Sequence, residues 1–176
     1  MDATTRDLLL AQDGDDRAFA RVVVSCDIHV RRFCLWLGSP TQDIDDLTQE
    51  TFLRAFRGLQ TYRGDSPAQS WLLSIARRVC LDDVEKSKKQ LSLVSSLRSS
   101  RVFKEESDQS SELHQLISEL PREFKEAFVL VRILDFSYDE AAHVLNCPMG
   151  TVQSRVARAR AILAQQLTMV ENRRIS

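Results

Sequence analysis

The sequence predicts an all-α chain of two small helical domains joined by a flexible linker, and three observations lead there. Apolar residues recur at steps of three and four over most of the 176 residues, which is the period of a helix with one buried face. No apolar-polar alternation of the strand type stands out, and only five glycines and four prolines interrupt the chain. Between 91 and 111 the periodicity gives way to LSLVSSLRSSRVFKEESDQSS, a serine- and charge-rich composition suited to a linker. The expected domains are therefore 1–90 and 112–176, together long enough to bury a core.

The N-terminal MDATTRDLLLAQDGDD is too acidic, and too short in its apolar part, for a signal peptide. No apolar run approaches the length that crosses a bilayer, so the expected location is cytoplasmic. A first helix is predicted from about Asp16 to Leu37, with Phe19, Val23, Cys26, Val30, Phe33, Cys34 and Leu37 inward, and Gly38-Ser39-Pro40 ends it. A second, from about Gln42 to Arg57, turns Ile44, Leu47, Thr51, Phe52 and Ala55 inward. Asp43, Asp46, Gln49, Glu50, Leu53 and Arg57 share its outer side. Acids alone would make that side an ordinary solvated face. Leu53 among them points to a docking surface.

Gly58 closes the second helix, and Tyr62-Arg63-Gly64-Asp65 forms a loop. Ser66 as N-cap, Pro67 at the first helical position and Gln69 then open a third helix, which turns Trp71, Leu72, Ile75, Ala76 and Val79 to the core. Its other residues include Arg77, Arg78, Lys86, Lys88 and Lys89. Aromatic and cationic residues at a loop-helix junction suit unpaired bases, although a core tryptophan beside solvated cations would leave the same pattern.

Beyond the linker, one short helix turns Leu113, Leu116, Ile117 and Leu120 inward, and another, opened by Pro121, does so with Phe124, Ala127, Phe128 and Val131. From Ser137 to Leu163 the layout is that of a DNA-reading helix-turn-helix. Ser137 and Glu140 form a capping box, Ala141 and Leu145 face inward, and Asn146-Cys147-Pro148 makes the turn. In the longer helix that follows, Val152, Val156, Ala159 and Leu163 lie on one stripe. Gln153, Ser154, Ala157 and Arg158 lie opposite and suit base edges in the major groove, with Arg155 and Arg160 flanking them towards phosphates.

Cys26, Cys34, Cys80 and Cys147 form no C-x-x-C pair, and His29, His114 and His143 add no ligand spacing, so neither a metal nor another cofactor is expected. The buried-helix cysteines read as small hydrophobes. No nucleophile-base pair or phosphate loop points to an enzyme. A net charge of −1 argues against a protein that grips DNA unaided. Locally, Arg155, Arg158, Arg160, Arg173 and Arg174 face Glu171 alone after Pro148, whereas Asp43, Asp45, Asp46 and Glu50 reverse the sign, which suggests two different partners.

Four stretches, DIDDLTQETFLRAF (43–56), TYRGDSPAQSWLLSIAR (61–77), ISELPREFKEAFVLV (117–131) and SYDEAAHVLNCPMGTVQSRVARAR (137–160), resemble in order and spacing the small extracytoplasmic-function sigma factors of bacterial RNA polymerase. The resemblance implies a non-catalytic initiation subunit that binds core polymerase and promoter DNA, at a stress or envelope regulon, and that an anti-sigma protein can hold inactive. Residues 1–90 would be a three-helix sigma region 2, 91–111 a linker towards the RNA exit path, and 112–176 a four-helix sigma region 4. Asp43, Asp46, Gln49, Glu50, Leu53 and Arg57 would dock on the polymerase clamp. Tyr62, Arg63, Asp65, Trp71, Arg77 and Arg78 would capture the melted minus-ten element. Thr151, Gln153, Ser154, Arg155, Ala157, Arg158 and Arg160 would read the minus-thirty-five duplex. Arg78 stands where many relatives carry asparagine, Glu85-Lys86 where paired arginines are usual, and Asn146 where glycine often makes the turn. The rival is an ordinary helix-turn-helix regulator that binds its operator as a dimer. It leaves the acidic face and the aromatic-basic junction without a task, and it predicts duplex binding without polymerase.

Overall fold

The structure, a computed structural model, describes residues 2–93 and 110–175; the predicted linker lies, at 94–109, outside the described residues. The chain divides into two compact units, Met1–Lys104 and Glu105–Ser176. Helices build both, and the described residues contain no strand.

The first unit holds α1 (Ala3–Gln12), α2 (Asp16–Trp36), α3 (Ile44–Arg57) and α4 (Ala68–Leu93). Helix α1 was not assigned from the sequence. Its start is local all the same: the Asp2 carboxylate accepts from the Thr5 amide at 2.9 Å and from the Thr5 hydroxyl at 2.6 Å. Burial works against ionisation of Asp2, but these hydrogen bonds outweigh it and hold the carboxyl below its usual range. Gly14, at φ +99°, then reverses the chain, and Asp15 caps α2 by accepting from the Arg17 and Ala18 amides.

The face of α2 that enters the core is Ala18, Val22, Cys26, Val30, Phe33 and Cys34. Phe19 and Val23, expected inside, are half-buried and turn towards α3 instead. The inner side of α3 is as expected, with Ile44, Leu47, Thr51, Phe52 and Ala55 buried. On α4 the buried set is Leu72, Leu73, Ala76, Val79 and Cys80, while Trp71 and Ile75 are half-buried. That helix packs against α1, α2 and α3 together, so its apolar arc is wider than one stripe. Cys26, Cys34 and Cys80 are core residues, and burial pushes the Cys26 thiol up to about 11. Cys34 is also pushed up, by the Cys80 thiol 3.2 Å away and then by burial.

The second unit holds α5 (Ser110–Ser118), α6 (Arg122–Phe128), α7 (Tyr138–Leu145) and α8 (Met149–Ile175). After α6 the chain passes through a π-helical turn, Val129–Ile133. Val129 and Leu130 in this turn are buried and Val131 is half-buried, and Phe124 and Phe128, which precede it, are half-buried as well. Leu113, also expected inside, is 45% exposed. The α7 capping box forms, with the Ser137 amide donating to Glu140 Oε2 at 2.8 Å and the Glu140 amide to Ser137 Oγ at 3.2 Å. Asn146 ends α7 in the left-handed conformation, φ 50° and ψ 51°, which asparagine adopts more readily than most residues. Val152, Val156, Ala159 and Leu163 of α8 are all buried.

Candidate nucleic-acid and protein interfaces

Helix α3 carries the first surface. Asp46, Gln49 and Arg57 are exposed, Asp43 is half-buried, and Leu53 is 42% exposed. Glu50 is otherwise engaged: it accepts from Arg54 Nε at 2.7 Å, while Arg54 Nη1 donates to Asp82 of α4 at 2.6 Å. Asp82 first, and Glu50 second, raise the Arg54 pKa. The outer acid at position 50 thus orients Arg54, which itself makes the α3–α4 contact.

Beside this face, α2 and α3 enclose an open groove of about 510 Å³ whose apolar lining includes Phe19, Val23, Phe52, Leu53 and Phe56. Phe56 was not singled out from the sequence, yet it is 52% exposed and its ring meets that of Phe19 edge-on at 5.1 Å. Its position three residues after Leu53 was the available signal. Arg31 closes one end by pairing with Asp27 at 2.7 Å and with Asp45. An apolar trough with charged rims suits the apolar edge of another helix.

A second surface is the loop between α3 and α4. Arg63 and Asp65 are exposed there, and Gly64 has φ +74°. Tyr62, expected on the DNA side, is only 4% exposed. Its hydroxyl donates to the Ser66 carbonyl at 2.5 Å and its ring lies 5.3 Å from that of Trp71, tilted by 52°. Burial raises its phenol above the usual range. Tyr62 therefore supports the loop and the half-buried Trp71 from beneath; it does not face outward. Arg78 is exposed and Arg77 half-buried.

The third surface is α8. With its stripe buried, Gln153, Ser154, Ala157, Arg158 and Arg160 are exposed, and Thr151 is half-buried. The Ser154 hydroxyl donates to the Thr151 carbonyl at 2.9 Å. Arg155 departs from the expected row: its guanidinium donates to Glu123 Oε2 at 3.1 Å and approaches Cys147 Sγ at 3.8 Å, which ties α8 to α6 and to the turn. Arg160 borders a separate groove of about 440 Å³ with Arg132, Leu113, Phe128 and Leu167. The side chains of Arg173 and Arg174 lie outside the described residues. Arg158 is thus the exposed arginine that shares its face with Gln153, Ser154 and Ala157. Arg158→Ala is expected to cost about 1–3 kcal/mol of discrimination at one base pair, measured by competition between altered duplexes in the polymerase-bound state. A uniform loss on every sequence would mark a phosphate contact instead.

Among the described residues no group of three or more His, Cys, Asp or Glu is placed to hold a metal ion, and no helix is long and apolar enough to cross a membrane. Comparison with protein families matches residues 24–90 to Sigma-70 region 2 and residues 110–163 to Sigma-70, region 4. A probable RNA polymerase sigma-C factor of Mycobacterium bovis is 36% identical over 173 residues, covering 93% of this chain and 91% of that protein. The ECF RNA polymerase sigma-E factor of Escherichia coli K12 is 33% identical over 170 residues, covering 85% and 86%. Among solved structures, CnrH in complex with the cytosolic domain of CnrY aligns with a TM-score of 0.76 at 26% identity, covering 96% of this chain and 99% of that one. The sigma factor RpoE bound to the anti-sigma factor NepR, from Bartonella quintana, aligns at 0.74 with 25% identity, covering 85% and 96%.

Proposed function

The chain belongs to the sigma-70 family, in its extracytoplasmic-function group, and from that membership we propose how its surfaces share the work of initiation. It binds core RNA polymerase and directs it to promoters. Asp43, Asp46, Gln49, Leu53 and Arg57, with Phe56 and the α2–α3 groove beside them, dock on the polymerase clamp, and Glu50 orients the Arg54 guanidinium that reaches Asp82 of α4. Arg63, Asp65, Trp71, Arg77 and Arg78 capture the unpaired minus-ten strand, over the support of Tyr62. Gln153, Ser154, Ala157 and Arg158 read the minus-thirty-five duplex, with Thr151, Arg155 and Arg160 at its margin.

The protein has no catalytic activity of its own in this reading and works in the cytoplasm. Strand opening draws on binding energy, since extruding a base costs a few kcal/mol that stacking in a pocket offsets. The RpoE neighbour was solved with an anti-sigma factor, and we extend that class of partner to this chain. Domains corresponding to 1–90 and 112–176, linked by 91–111, carry the two DNA contacts.

What carries the reading is the presence, in one chain and in order, of both sigma regions, with the exposed faces of α3 and α8 inside them. A gel-shift assay tests it. With a net charge of −1 the protein alone is expected to leave promoter duplex unshifted at physiological salt, and to shift it when core polymerase is added. A stable shift without polymerase would favour a free-standing repressor.

A further inference from the structure

Helix α1 ends at Gln12, ahead of the region 2 match that begins at residue 24, yet one of its faces runs along the whole α3–α4 loop. At the near end of that loop the Gln12 side-chain amide donates to two carbonyls, Leu59 O at 2.7 Å and Tyr62 O at 2.6 Å. An NH₂ group has two hydrogens, and here each has its own acceptor. The Gln60 amide returns the contact by donating to Gln12 O at 3.0 Å. In the middle, Leu9 Cδ2 lies 3.9 Å from where a Gly64 side chain would begin. At the far end the Thr5 hydroxyl accepts from the Ala68 amide at 3.0 Å, serving the first turn of α4 from 63 residues away.

Thr5, Leu9 and Gln12 are spaced by four and three, so they form one helical row roughly 10 Å long. Thr5 is itself fixed by the Asp2 carboxylate. The loop is therefore held from behind at both ends and its middle, while Arg63 and Asp65 remain exposed. A row of this kind sets the backbone path of the loop and hence where its exposed side chains meet a base.

We propose that α1 is a splint for the minus-ten loop and that Gln12 is a positioning residue for base selection. This rests on the reading that the loop captures the minus-ten strand. The test uses holoenzyme assembled from the full chain. The readout is the ratio of initiation on a preferred promoter to initiation on promoters altered at single minus-ten positions. Gln12→Met keeps length and helix propensity but removes both donors. It is expected to lower that ratio about tenfold, with a slightly lower melting temperature, as the loss of two hydrogen bonds entails, and with core affinity and minus-thirty-five discrimination unchanged. Gln12→Lys, which restores a donor able to reach both carbonyls, is expected to recover most of the ratio. Wild-type discrimination in Q12M, beside Arg63→Ala and Asp65→Ala variants that lose it, would overturn the splint alone. So would a Q12M loss of discrimination as large at the minus-thirty-five positions as at the minus-ten positions, the mark of a general loss of fold. If R63A and D65A both discriminate normally, the loop reading fails and the splint with it.

Discussion

Leu53→Asp is expected to weaken binding to core RNA polymerase by about 30-fold or more, the effect of removing one interface anchor of roughly 2 kcal/mol. Leu53 is 42% exposed and lines the α2–α3 groove with Phe56, so the substitution puts a carboxylate where an apolar partner surface would sit. Helical content and melting temperature should change little, because the new charge remains in water. Asp46→Lys, at an exposed position, is expected to act in the same direction through charge alone. Glu50→Lys is less informative. It breaks the intrahelical Glu50–Arg54 pair and can shift the guanidinium that reaches Asp82, so a lost polymerase contact would be mixed with a rearranged face. Such half-exposed pairs are worth only about 0–1 kcal/mol, so the fold should hold. Fluorescence anisotropy titration of labelled variants with core enzyme checks these expectations, and an L53D protein with wild-type affinity would remove α3 from the docking surface.

Phe33→Ala is expected to lower the stability of the first unit by about 3–5 kcal/mol, the range for emptying an aromatic site in a closed core. Phe33 has no exposed surface and is among the largest fully buried side chains of the described residues. Both tryptophans, Trp36 and Trp71, lie in this unit, so denaturant unfolding followed by tryptophan fluorescence reports it directly. A shift below about 1 kcal/mol would contradict the packing described for α2, because truncating a buried aromatic leaves a cavity that rigid helices fill poorly.

How much of this was legible beforehand varied with the physics of each element. Helix α8 was readable because one neighbouring core faces it, so a single stripe, Val152 to Leu163, states its orientation. The α7 capping box and the Asn146 turn were readable because their partners lie within a few residues. On helix α4 the expected Leu72, Ala76 and Val79 are buried while Trp71 and Ile75 are only half-buried, because three helices surround it and its sequence records no single direction. Within the π turn after α6 the buried residues are Val129 and Leu130 and not Val131, and nothing in a 3.6-residue period announces an extra residue in a turn. Tyr62 and Arg155 looked like DNA contacts by residue type and neighbourhood. Their partners, Ser66 with Trp71 and Glu123 with Cys147, are tertiary facts that a sequence pattern does not carry. Helix α1 is legible only in its cap, Asp2 with Thr5, because its apolar run is too short to state a buried face.

Run-off transcription on a library of promoter sequences, with core polymerase in the presence and absence of the protein, addresses the central claim most directly. Initiation that requires the protein, and that selects sequences at both the minus-ten and minus-thirty-five positions, is the predicted result. Equal initiation with and without it, on every template in the library, would contradict the account.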